Sequence, residues 1–353
     1  MPIVLASELQ DLCVTLFVAS GASKKHAETV SNSLVDSNLC GLDSHGIMRV
    51  PQYLTAIAAE EIRTNVEPLV TKQQGCVTKI DGQWCFGQVA AQLAVETCIS
   101  GGEHNGVAIT TIFRVAHIGR LGEWANQVAN AGFICLIMTN GSRPGGLVAP
   151  YGSKQRGLGT NPIAIAIPRT SKPAIVLDMA TSAVAEGKVR HANFSGKKIP
   201  DGWVMDKHGH PTNNPQDLYD GGALYPLGGH KGYGLSIMVE ILAGILSGAM
   251  TPIFPGYNQL ENGVFMMALK PSLFQNEDVF NDSIDTFEER IKTLEPDSEI
   301  PNAEIMFPGE PEFRAKSKRE TSGVKIDEGT WDAIRKEAQE LDVNHSLLSE
   351  EAR

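Results

Sequence analysis

From residue 76 onward the chain alternates between two hydrophobic periods, and this constrains the fold more than any other feature. VTKIDG reads as a strand and turn, QVAAQLAVETCI as a helix with one apolar stripe, and GVAITTI as a buried strand. Ile118 to Ala131 places Ile118, Leu121, Ala125 and Val128 at helical spacing, with Gly132 as the stop, and FICLIMT follows as another buried strand. Strand, helix and strand in that order predict α/β architecture with crossover connections. IAIAIP, AIVLDM and GVFMMAL add strands, and Gly232 to Leu246 adds a long helix expected to be buried.

Upstream the periodicity is helical. Ser23 caps a stretch with Ala27, Val30, Leu34 and Val35 on one face, ending near Gly41, and a second helix is expected to carry Val50, Tyr53, Leu54 and Ile57. Helix returns after Ile326, where DEGTWDAIRKEAQEL is amphipathic, and the alternating charges from Asp278 to Glu299 read as a solvated helix face. A chain of 353 residues holds one large domain or two ordinary ones without disulfide or metal staples. Its six cysteines form no C-x-x-C pair and sit in apolar segments, the pattern of reduced thiols in a cytoplasmic protein. The amino terminus lacks the form of a signal peptide, and no run approaches the roughly twenty apolar residues of a membrane span. A net charge of -11 gives no footprint for nucleic acid, so neither nucleic acid nor membrane is an expected partner. It also means that an anionic substrate needs specific cations to hold it.

Several familiar chemistries are missing. There is no G-x-G-x-x-G, no Walker-type loop, no H-E-x-x-H and no G-x-S-x-G elbow, and His208 and His210 lie in a turn rather than at a metal-ligand spacing. The first positive signal is GLDSHGIMRVPQY, between two predicted helices. If Gly46 opens the second helix, His45 lies at its positive end, with Arg49 and then Tyr53 on one face. A guanidinium matches a carboxylate with two parallel bonds, and an imidazole and a helix N-terminus add donors. A plain helix cap with a surface arginine has the same spacing. The second signal is RVAHIGRLGEW, where His117 follows a buried strand at the mouth of the next helix. A helix N-terminus lowers an imidazole pKa, and a neutral histidine is suited to take an alcohol's proton. A structural histidine fits the same position. Four loops, NGSRPGG at 140–146, GLGTNP at 157–162, LDMATS at 177–182 and HKGYGL at 230–235, offer backbone N–H groups or a lysine to a phosphate or nicotinamide.

DSHGIMR, AHIG, GTNP, LDMATS, HKGYGL and the late FPGE occur here in the order in which they occur in the malate/L-lactate dehydrogenase-like family, which the chain resembles over nearly its whole length. That family also includes ureidoglycolate, sulfolactate and diketogulonate enzymes and cyclic-imine reductases. HIGRLGEWA, PTNNP, HKGYGLSIMVEIL and FPGE before an Arg/Lys-rich segment look most like its bacterial hydroxycarboxylate dehydrogenase type. The resemblance implies a non-Rossmann L-sulfolactate/malate dehydrogenase-like α/β fold with a mixed sheet. A mainly helical domain (residues 1–75 together with 305–353) would carry the substrate segment, and residues 76–304 would form the NAD(P)-binding domain. It also implies a homodimer. By the same resemblance His117 transfers the proton, while Ser44, His45, Arg49 and Tyr53 surround the substrate carboxylate. Thr160 and Asn161 lie near the nicotinamide, Asp178, Met179, Ala180 and Lys231 hold the cofactor, and Asn140 and Ser142 join them in a loop that varies across the family. The implied cofactor is NAD or NADP, with no metal. The implied reaction interconverts a small 2-hydroxy acid and its 2-oxo acid. The alternative is reduction of a cyclic imino acid.

Overall fold

The computed structural model describes residues 1–348 apart from Ser142 and Gln259. Its centre is a seven-stranded sheet in the order Leu69–Gln74, Val77–Asp81, Val107–Val115, Asn262–Leu269, Ile134–Gly141, Ile163–Ile167, Ile175–Met179. Val77–Asp81 and Val107–Val115 pair in parallel, joined by the crossover helix Gly87–Asn105. The other neighbours are antiparallel. Asn262–Leu269 lies between Val107–Val115 and Ile134–Gly141, so two strands linked by helix Leu121–Asn130 run the same way without touching. The sheet is therefore mixed.

Helices Gly87–Asn105 and Leu121–Asn130 pack on the sheet, and helices from both ends of the chain form a further layer against them. Ala6–Ala19, Lys24–Leu39 and Val50–Ala58 come first; Glu310–Ser322 and Glu328–Glu340 return beside them, and Val324–Lys325 pairs with Ile3–Val4. Ser23 Oγ caps the second helix by accepting from the His26 N–H. Leu9, Leu16, Leu34 and Trp331 of this layer share one continuous core with Ile80, Ile112 and Ile137 of the sheet. A separate core of Val148, Leu158, Val189, Val204, Leu218 and Leu224 forms around a small three-stranded sheet.

Three expectations shift. The helix predicted from Ile118 begins at Leu121. The Ile118 N–H donates to Asn262 Oδ1 at 3.0 Å and its carbonyl accepts Trp124 Nε1 at 2.9 Å, which keeps residues 116–120 out of the helix and leaves His117 on a loop. No helix opens at Gly46. Two short 3-10 turns, Asp43–His45 and Ile47–Arg49, precede helix Val50–Ala58. Asn38 imposes this, accepting the Ile47 N–H at 2.8 Å and donating to Asp43 Oδ1 at 2.7 Å. A Cβ at position 46 would lie 2.2 Å from Asn38 Oδ1, so only glycine lets the chain pass. Finally, the helix expected to be buried at 232–246 is His230–Val239 followed by a π-helical turn, Glu240–Ile245. It buries Ser236, Val239, Glu240 and Ala243 but exposes Leu235, Met238, Ile241 and Ile245.

Candidate active site

The strand Val107–Val115 delivers His117 to the junction between sheet and helical layer. Tyr53 Oη lies 2.7 Å from His117 Nδ1 and receives Gln88 Nε2 at 3.0 Å, while the Gly119 N–H points at the same ring nitrogen from 3.3 Å. The shorter Tyr53 contact suits a ring with hydrogen on Nδ1 and the longer Gly119 contact a ring with hydrogen on Nε2; Nε2 has no protein partner among the described residues. The His45 ring stacks beside it, with centroids 5.8 Å apart and planes 21° from parallel. Ser44 Oγ bonds His45 Nδ1 at 3.0 Å, and Arg49 Nε donates to the Ser44 carbonyl at 2.8 Å. The turns around Gly46 place Ser44, His45 and Arg49 together.

Electrostatics set the protonation state. Burial, then Arg49 and then Arg120, depresses the His45 pKa to about 3; burial, then Arg49 and His45, holds His117 well below the ordinary histidine value. Both imidazoles are neutral near pH 7. The main cause is burial, not the helix N-terminus inferred from sequence. Burial likewise raises Tyr53 to about 12, so its hydroxyl stays protonated. Arg49 is half-buried; its Nη1 donates to Gln52 Oε1 at 2.7 Å, and it has no ion-pair partner among the described residues. Ser44, His45, Arg49, His117, Arg143 and Thr160 help line a cavity of about 270 Å³.

A second cavity of about 1010 Å³ adjoins the next residues of the same loop, Arg120 and Gly122, and is also lined by Asp178 and the FPGE residues Pro308, Gly309 and Glu310. Asp178 Oδ2 accepts the Gly122 N–H at 2.7 Å, and a Cβ at Gly122 would sit 2.9 Å from both Asp178 Oδ2 and Arg120 Nη1. Arg120 pairs with Asp36 at 2.6 Å, yet its Nε is buried without a partner among the described residues, as is the Nε of Arg169 across the same cavity. Two unmet buried guanidinium N–H groups in a cavity this large fit the diphosphate of a dinucleotide.

The predicted residues divide accordingly. Ser44, His45, Arg49, His117 and Thr160 converge on the small cavity, and Asp178 on the large one. Tyr53 lies behind His117 and is 1% exposed. Met179 and Ala180 are half-buried at the end of the Asp178 strand and line neither cavity, and Lys231 is exposed and also lines neither. Asn140 and Asn161 are fully buried, and each donates through Nδ2 to a different oxygen of Glu240, at 2.9 and 2.8 Å. Ser142 lies outside the described residues. Gln88, Arg120 and Arg143 are site residues that spacing did not single out. Only Arg120 and Arg143 fall inside segments already marked as chemical, HIGRLGEW and NGSRPGG.

Residues 4–335 match the model of the malate/L-lactate dehydrogenase family. Hydroxycarboxylate dehydrogenase B of Escherichia coli (strain K12) is 33% identical over 97% of this chain and 95% of its own length. Malate/(S)-sulfolactate dehydrogenase of Methanothermus fervidus is 34% identical over 97% of this chain and 98% of its own. The solved sulfolactate dehydrogenase of Methanocaldococcus jannaschii superposes with a TM-score of 0.86 at 32% identity, covering 97% of this chain and 98% of that one. With the family model, the sequence identity and the superposition each extending over nearly its whole length, the chain belongs to the malate/L-lactate dehydrogenase family.

Proposed function

We propose that this chain is an NAD(P)-dependent dehydrogenase interconverting a small 2-hydroxy acid and its 2-oxo acid. The observation that carries this reading is His117, with Nδ1 tied and Nε2 free, facing a small cavity beside the unpaired Arg49. Arg49 receives the substrate carboxylate through its planar fork, and His45, fixed by Ser44, closes one side. His117 Nε2 takes the hydroxyl proton in oxidation and returns it in reduction; the base form is the neutral tautomer whose Nδ1–H is donated to Tyr53 Oη. A carboxylate on Arg49 offsets the cation that disfavours imidazolium, so substrate binding itself eases protonation of His117. A nicotinamide, when bound, supplies or accepts the hydride. Arg120, Arg169 and the helix start at Gly122, which is tied to Asp178, would hold its dinucleotide.

The exposed apolar side chains Leu235, Met238, Ile241 and Ile245 form the face by which two copies associate as a homodimer. The free cysteines, five of them buried, suit the cytoplasm. No helix among the described residues is long and apolar enough to cross a membrane.

The test is oxidation of NADH and NADPH by the purified protein with a panel of 2-oxo acids and one cyclic imino acid. Turnover of a 2-oxo acid, lowered about a hundredfold or more by His117→Ala, is expected. Turnover of the imino acid alone would reassign the chemistry to C=N reduction, and turnover by His117→Ala at the wild-type rate would remove His117 from the reaction.

A further inference from the structure

The strand Val107–Val115 does not run straight to His117. Val115 stands opposite Asn262 and Ile112 opposite Val264, so Phe113 and Arg114 share Gly263 as their one partner and the strand bulges. Inside the bulge Arg114 has a φ of +51°, a left-handed backbone that few side chains adopt. His117 follows three residues later. A bulge re-aims the chain beyond it, and a strained residue persists only where its surroundings hold it.

Asp81 does the holding. The Arg114 guanidinium meets the Asp81 carboxylate in a two-pronged pair, Nε at 3.0 Å from Oδ1 and Nη2 on Oδ2. Asp81 is buried in its strand, so the carboxylate is the fixed member. Its Oδ1 also accepts the Gln83 N–H at 2.9 Å. The Gly82 N–H donates to the Phe113 carbonyl at 2.9 Å and the Trp84 N–H to the Arg114 carbonyl at 2.7 Å, which laces residues 81–84 to the bulge. Both segments then enter the site. Residues 81–84 lead into helix Gly87–Asn105, where a Cβ on Gly87 would lie 2.1 Å from the His117 carbonyl oxygen. The next residue, Gln88, donates to the Tyr53 Oη that meets His117 Nδ1. The bulge leads to His117 itself. Neither Asp81 nor Arg114 lines either cavity.

We propose that Asp81 and Arg114 are positioning residues for His117: their ion pair holds the left-handed bend that sets the imidazole against Tyr53 and the small cavity. This rests on the dehydrogenase reading, in which His117 transfers the proton. Because the pair lies outside both cavities, its loss should slow the chemical step and leave substrate binding unchanged.

The experiment measures kcat, KM and melting temperature for the wild type, Arg114→Ala, Arg114→Gly and Asp81→Asn on the best 2-oxo acid. Arg114→Ala removes the pair and keeps the strain, so kcat is expected to fall about 10-fold while KM changes by less than about twofold. Arg114→Gly removes pair and strain together, and should recover about threefold of that loss and melt above Arg114→Ala. At an ordinary strand position glycine melts below alanine, so this order identifies the bend. Asp81→Asn still accepts the Gln83 N–H but loses the charge, and kcat should fall with KM unchanged as in Arg114→Ala. A second readout needs no turnover. In spectra of isotope-labelled histidine, with His117→Gln identifying the resonance, wild-type His117 should carry its hydrogen on Nδ1, and Arg114→Ala should shift part of it to Nε2. Wild-type kcat in Arg114→Ala, glycine melting below alanine, or KM rising as far as kcat falls overturns the assignment. Failure of every 2-oxo acid with the wild type would defeat the dehydrogenase reading instead. The spectra would still decide the role of the pair, since an unchanged His117 tautomer in Arg114→Ala overturns it.

Discussion

Tyr53→Phe separates two roles for one hydroxyl. Resemblance to the family puts Tyr53 beside the substrate. The structure puts it behind His117, 1% exposed, with its oxygen 2.7 Å from Nδ1 and 3.0 Å from Gln88 Nε2. Phenylalanine fills the same space and removes only this link. It leaves Gln88 Nε2 unmet beside a Gln88 Oε1 that already lacks a partner among the described residues. A stranded buried polar group costs about 1–3 kcal/mol, which in a chain this long lowers the melting temperature by about 1–4 °C. His117 Nδ1 is then left with only the Gly119 N–H at 3.3 Å, a donor that favours the tautomer with hydrogen on Nε2 and so takes away the base. We expect kcat to fall about 10- to 100-fold, in line with the cost of misplacing a catalytic group. KM should change by less than about threefold, because the hydroxyl is not part of the cavity wall. Steady-state kinetics on the best 2-oxo acid, together with a thermal melt, read out both quantities. A variant with wild-type kcat and a raised KM would refute this reasoning and return Tyr53 to direct substrate contact.

Two further outcomes follow from buried titratable groups. Both oxygens of Glu240 accept side-chain amides, from Asn140 and Asn161, so Glu240→Gln turns one acceptor into a donor facing another donor. Thermal melts should show a loss of about 1–3 kcal/mol, and an unchanged melting temperature would mean that the two asparagines are not anchored there. His45 is depressed to about 3 and His117 well below 6.5, so below the unfolded value near 6.5 the unfolded chain binds protons that the folded chain refuses. Their stabilising contribution is complete above about pH 6.5 and is lost as pH falls, by up to roughly 1.4 kcal/mol per pH unit for each histidine. Denaturant unfolding between pH 7 and 5 should steepen accordingly, less so in His45→Gln; a flat profile would contradict the neutral assignment.

What could be read from the sequence was whatever is local. The sheet's strands announce themselves as apolar runs, and Ser23 caps its helix by a bond three residues away, so both were legible. Strand order was not. Asn262–Leu269 enters the centre of the sheet between strands that precede it by more than a hundred residues, and an apolar run carries no mark of its neighbours. The helix expected at Gly46 failed for a related reason: Asn38 redirects residues 43–47 through its side chain, a contact between segments that spacing cannot express.

The same division runs through the site. His45, Arg49 and His117 stood out because their chemistry is rare enough in such short segments to invite a role, and all three meet at one cavity. Asn140 and Asn161 stood out on similar grounds, yet their amides turn inward to Glu240, because an asparagine suited to hold a ligand is equally suited to tie two loops to a buried carboxylate. Gln88 shows the converse. Its helix stripe marks it as nothing more than a residue near a helix start, and it acquires a role only because the fold sets its amide against Tyr53 and, through Tyr53, against His117. A sequence motif thus names the groups that can do chemistry, while the packing behind them decides which ring nitrogen is tied and which is left free to exchange a proton.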